Sequence, residues 1–187
     1  MPEPLVGPGP IYSLDGVTPK VAPDAFIAPT AAVIGDVEIG SETGVWFQCL
    51  VRGDLCHVRI GARTNIQDGA IVHVDSGGLA AIIGDDVTVG HNAVIHACTL
   101  KNRAFVGISA TVLDGAVIEE GGMLGAGGLL TPGKVIGRNE LWVGAPAKLV
   151  RVMSDEERRK FDRNAVVYRG LAARFRAGLR STVSRRS

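Results

Sequence analysis

The sequence predicts an all-β chain wound as a parallel β-helix, with one amphipathic α-helix packed on it at the C-terminus. Three observations predict this. An aliphatic residue recurs every six positions across more than a hundred residues, a glycine often follows it directly, and after Val150 the spacing changes to alternating steps of four and three. A hexapeptide period suits a short strand and a tight turn, with Gly, Asp and Asn supplying unusual backbone angles. Three such units close one triangular coil. A β-sandwich would space its strands about 8 to 12 residues apart and would not hold one register so long.

The ladder runs Ile27, Val33, Ile39, Val45 and Val51, then Ile60, Ile66 and Val72, then Ile83, Val89 and Ile95. After one short unit it continues through Leu100, Val106, Val112, Ile118, Leu124, Leu130 and Ile136 to Trp142. Nine residues separate Val51 from Ile60 and eleven separate Val72 from Ile83, so both intervals are expected to be loops on the coil. Coils lie ~4.8 Å apart, so the inward aliphatics stack into one core and no coil is stable alone. The predicted organisation is a β-helix domain over residues 1–153 with an N-terminal extension, a helix over 154–180 and a disordered tail over 181–187. Ser154 and Glu157 occupy capping-box positions, and Phe161, Ala165, Tyr168, Ala172, Phe175 and Leu179 form the face that packs on the coil.

Composition excludes several functions. The chain has 187 residues, 46% of them apolar, which suffices for one sizeable core. Its formal charge is +1 and only 5% of residues are aromatic, so neither a broad basic face nor base-stacking residues point to nucleic acid. No apolar run approaches the ~20 residues of a membrane span, and "MPEPLVGPGP" lacks the regions of a signal peptide. The expected location is cytoplasmic, with no membrane partner. Cys49, Cys56 and Cys98 are odd in number and form no CxxC pair, so they are read as small buried fillers.

Positions three units apart share a face of the prism, which places the polar residues. Val51, Val72, Ile95 and Val112 fall on one face, so Arg52, His73 and His96, each directly after a core position, stack on it. His73 and His96 become neighbours on adjacent coils, close enough to share a cation. His91 lies on the face of Ile66, where Gln67 and Asp68 are found one coil earlier. One chain cannot easily join all three histidines, whereas a three-fold packing of prisms can. His57 has no such register and is read as a loop residue. On residue type alone, Arg52 and Asp54 fit a structural ion pair as well as a site, and Asn65, Gln67 and Asp68 fit turns as well as a pocket.

"VRGDLCHVRIGARTNIQDGAIVHV", "VGHNAVIHACTL" and "WVGAPAKLVR" resemble the γ-class carbonic anhydrases and their bacterial hexapeptide-repeat relatives. The resemblance covers roughly residues 10 to 180. It implies a left-handed β-helix, a homotrimer with interfacial metal sites, and reversible hydration of CO2 to bicarbonate, the reaction of a lyase. It implies that His73 and His96 share a metal with His91 of a neighbouring subunit, that Arg52 and Asp54 form an intersubunit ion pair, and that Gln67 lies beside the metal's water. Asn65 and Asp68 take supporting roles, and Tyr168 reaches the pocket from the helix. Leu55 and approximately Ser76 stand where the family's archetype has proton-shuttling glutamates, which leaves Asp75 or His57 for that task. Three neutral imidazoles leave a fourth position for water, and a bound cation lowers that water's pKa toward ~7. Zinc is the default, with Fe(II) and Co(II) also accepted by three imidazoles. The alternatives are a hexapeptide acyltransferase, a metal-dependent acyl-CoA thioesterase, and a non-catalytic trimeric scaffold.

Overall fold

The computed structural model describes residues 8–180, and the expected tail over 181–187 lies outside them. The chain winds into about seven coils of a parallel β-solenoid followed by one helix. Each face of the prism carries one ladder of inward aliphatics in the register that the six-residue period predicts. On the first face Val33, Val51, Val72, Ile95, Val112 and Leu130 pair in sequence. On the second, Val21, Ile39, Ile60, Ile83, Leu100, Ile118 and Ile136 do so. The third stacks Ile27, Val45, Ile66, Val89, Val106 and Leu124, and ends on Trp142. These aliphatics from Ile27 to Ile136 are all buried. Trp142, the last rung, is half-buried because no further coil covers it.

Two local expectations change. The interval from Val51 to Ile60 is not a loop: Leu50–Ile60 is one continuous strand that rounds the corner between the first two faces against Ala32–Ile39. Gly53 still pairs with Gly35 and Val58 with Val37, so the surplus residues remain extended between two paired ends and bow outward, leaving Leu55 exposed. The second interval is a loop, closed by Asp75, whose amide bonds the Leu79 carbonyl at 3.2 Å and whose carboxylate accepts the Gly77 N–H at 2.7 Å. The corners draw on Gly, Asp and Asn as expected, among them Gly69, Asp86, Asn92, Gly115, Gly121, Gly127, Gly133 and Asn139, but not on these alone. Gln48, Arg63, Ala97, Arg103 and Ser109 all hold φ between +46° and +62°, because closing a coil imposes the left-handed angle whatever the side chain.

The helix, Asp155–Gly178, opens on the expected capping box, with the Ser154 hydroxyl accepting the Glu157 N–H at 3.2 Å and the Glu157 carboxylate accepting the Ser154 N–H at 3.0 Å. Ser154→Ala is expected to cost about 1 kcal/mol of stability, read as a lower unfolding midpoint in denaturant. The helix lies on the third face, where Phe175 and Tyr168 pack against Trp46 at centroid distances of 5.3 Å and Phe161 against Phe105 at 5.4 Å. Sequence reasoning missed Arg158. It is buried beneath the helix, 2.6 Å from Asp162, which also holds Arg103 of the solenoid at 3.1 Å. Cys49 and Cys98 are buried fillers as expected, and burial pushes both thiols up to about 12; Cys56 is only half-buried.

Candidate metal centre

His73 and His96 are direct register partners on the first face. Their facing atoms, Nδ1 of His73 and Nε2 of His96, are 3.3 Å apart. The far nitrogen of each ring meets a carboxylate, Asp54 Oδ1 at 2.9 Å from His73 Nε2, and Asp114 against His96 Nδ1. A carboxylate accepts and does not donate when ionised, so each pairing places the ring proton on the far nitrogen and a lone pair on the near one. Two lone pairs then face each other across 3.3 Å, an arrangement that a shared cation relieves. Imidazoles oriented by carboxylates suit a borderline divalent ion, so the donor set fits the implied metal.

Asp54 is shared between this pair and Arg52, whose guanidinium donates to Oδ2. Burial acts to raise the Asp54 carboxyl, but the His73 hydrogen bond and the nearby Arg52 charge outweigh it and hold it below the usual carboxylate range. It is therefore ionised at neutral pH. Asp114 was not among the expected residues, although its place was countable: Val112 stacks on Ile95, so Asp114 lies on the coil above His96.

The other expected residues gather at a second locus, on the third face and the corner that follows it. Asn65 and Gln67 are buried; Asn65 Nδ2 donates to Thr88 Oγ1 at 3.0 Å, and its Oδ1 accepts from Gln67 Nε2 at 3.0 Å. This chain leaves Gln67 Oε1 without a hydrogen bond among the described residues. Asp68 accepts the Phe47 N–H at 3.2 Å and faces His91 Nδ1 at 3.1 Å. His91 Nε2 then carries the lone pair and accepts from the Tyr168 hydroxyl at 3.4 Å. Burial, with the Asp68 charge, raises the Tyr168 pKa, so that hydroxyl keeps its proton. His57 joins neither locus; its Nδ1 is 3.7 Å from Cys56 Sγ, and it lines an open hollow of about 260 Å³ with Asp36, Asp54 and Leu55. Within the single chain the two loci stay apart, and no group of three metal-binding side chains forms among the described residues.

Fold and paired histidines together define the class: a hexapeptide-repeat β-solenoid with a candidate metal centre split between two edges. No family model matches the sequence. The chain is 44% identical over 153 residues to a carbonic anhydrase of Geobacillus kaustophilus, spanning 82% of this chain and 84% of that protein. It is 45% identical over 159 residues to the mitochondrial gamma carbonic anhydrase 1 of Arabidopsis thaliana, which covers 82% of this chain but 58% of the plant protein. The chain therefore spans little more than half the length of that relative. A crystal structure from Bacillus cereus, provisionally named an acetyltransferase, superposes with a TM-score of 0.89 at 37% identity, over 91% of this chain and 99% of that one. The chain belongs to the gamma carbonic anhydrase family.

Proposed function

We propose that the protein is a homotrimeric carbonic anhydrase that interconverts CO2 and bicarbonate at metal sites shared between subunits. The observation that carries this reading is the distribution of the three histidines: two in register on one edge, the third on another, each with one ring nitrogen against a carboxylate. His73 and His96 of one subunit and His91 of the next would hold the ion. Zinc so bound supplies hydroxide near neutral pH and acts as a Lewis acid; Fe(II) and Co(II) fit the same donors.

The remaining residues position and protect. Asp54, Asp114 and Asp68 fix the ring orientations, and the bond between Asn65 and Gln67 holds the Gln67 carboxamide so that Oε1 can orient a water or the bicarbonate. Tyr168 stays a neutral hydroxyl and can donate to a substrate oxygen. Arg52 stays paired with Asp54 and carries its charge to the subunit boundary. Leu55 and Ser76 offer no carboxylate for proton export, so the proton leaves through water, buffer, Asp75 or His57.

Stopped-flow CO2 hydration by zinc-loaded and anaerobically iron-loaded protein tests the reading, together with sedimentation. Turnover is expected to rise with buffer concentration, and Tyr168→Phe is expected to lower it with metal content unchanged. A stable monomer that binds metal tightly would refute the shared site, and no hydration above background across about pH 6.5 to 9 would refute the activity. Acyl-CoA hydrolysis by the same preparation would replace it with the thioesterase reading.

A further inference from the structure

The outward face of the C-terminal helix carries an arrangement that neither the core nor the metal centre uses. From Arg163 to Ser187 the sequence has seven arginines and no acidic residue, in a chain whose formal charge is +1. At ~3.6 residues per turn, Val166, Gly170, Ala173 and Ala177 align as one exposed stripe. Arg163 and Arg174 flank it on one side, Arg169 and Arg176 on the other. Val166 and Val167 are 59% and 56% exposed. Charge on this face is only partly neutralised: among the described residues Arg163 and Arg174 make no ion pair, Arg176 lies near Asp24 without pairing with it, and Arg169 reaches Glu42 only at 3.9 Å.

We propose that this face docks the protein on an anionic lipid bilayer, with its guanidinium groups among the headgroup phosphates and Val166 and Val167 at their apolar boundary. An apolar stripe bordered on both sides by arginine is the pattern of a helix lying in a membrane interface, and anionic headgroups attract such a cluster over about a Debye length. The solenoid holds the helix folded, so docking incurs little ordering entropy. A single-stranded nucleic acid is a poorer match, because it binds on aromatic platforms. Here Phe161, Tyr168 and Phe175 all point inward, onto Phe105 and Trp46. Docking needs no membrane-spanning helix, and the described residues contain none.

Co-sedimentation of the full chain with vesicles tests this. Phosphatidylcholine vesicles containing about one third phosphatidylglycerol are expected to bind at least about tenfold more protein than phosphatidylcholine alone at about 50 mM salt, with most of the binding lost at about 500 mM. The double change Arg163→Glu with Arg174→Glu is expected to abolish binding. Val166→Asp with Val167→Asp is expected to weaken it several-fold while leaving every arginine in place. None of these residues touches His73, His91 or His96, so metal content and the circular-dichroism melt should match the parent and show that the fold is intact. Equal binding to both vesicle types, binding unaffected by the arginine changes, or displacement from vesicles by single-stranded RNA would each overturn the proposal.

Discussion

Alanine at His73, His91 or His96 is expected to take the metal content of purified protein from about one ion per chain to nearly none, because losing one of three protein ligands leaves a site that cannot close around the ion. The three should behave alike although His91 lies at a different locus from the other two. His57→Ala should leave metal content unchanged, since His57 meets Cys56 rather than either histidine edge. Asp114→Asn is expected to weaken metal affinity by about 10- to 100-fold without emptying the site, as loss of an orienting partner does. Mixed trimers give the sharpest reading. Combining His91→Ala chains with His73→Ala chains should restore part of the metal, because some interfaces then unite intact partners. No recovery in verified mixed trimers would place the whole site in one chain.

Gly107→Ala is expected to lower stability by about 3 kcal/mol, or roughly 6 to 12 °C in the thermal midpoint. A Cβ at this position would stand 2.6 Å from the Gly125 carbonyl carbon and 2.7 Å from the Ala126 Cα, both backbone atoms of the next coil. Neither can turn aside as a side chain could, so the coils must separate and the aliphatic ladders on both sides lose contact. Gly170→Ala is the matched control. It lies on the exposed helix face with open space around its Cα, and there alanine should stabilise by up to about 1 kcal/mol. Equal melting temperatures for the two variants would refute the close approach as the reason for the glycine.

The same glycine shows how a correct pattern can carry an incomplete reason. Residues directly after the core aliphatic, such as Gly40, Gly61 and Gly107, read from sequence as suppliers of unusual backbone angles. None of these three adopts a left-handed φ; a Cβ on each would strike the coil above, and space is what they provide. The left-handed corners fall at other positions, mostly on Gly, Asp and Asn such as Gly69, Asp86, Asn92 and Gly115, but also on Arg63, Ala97 and Ser109, which a propensity argument would not choose. The Leu50–Ile60 strand makes a similar point. Here the inserted residues stay extended between two paired ends, whereas those between His73 and Ala81 form a loop, and the break in period alone does not distinguish the two.

What the sequence determined by itself is whatever follows from counting. One aliphatic per six residues must point to the axis, so the period assigns each residue to a face, puts His73 beside His96, separates His91 from both and places the capping box at Ser154. Only the tertiary structure decided directions and neighbours across the fold. Which ring nitrogen of each histidine faces its partner depends on Asp54 and Asp114, contributed by the neighbouring coils. The burial of Arg158 depends on Asp162 and Arg103 meeting beneath the helix, and the single basic side of that helix depends on which face the aromatic cluster around Trp46 draws inward. Periodicity is a local property of the chain, whereas ring orientation, burial and the sidedness of charge arise from contacts between residues far apart in sequence, which no count along the chain contains.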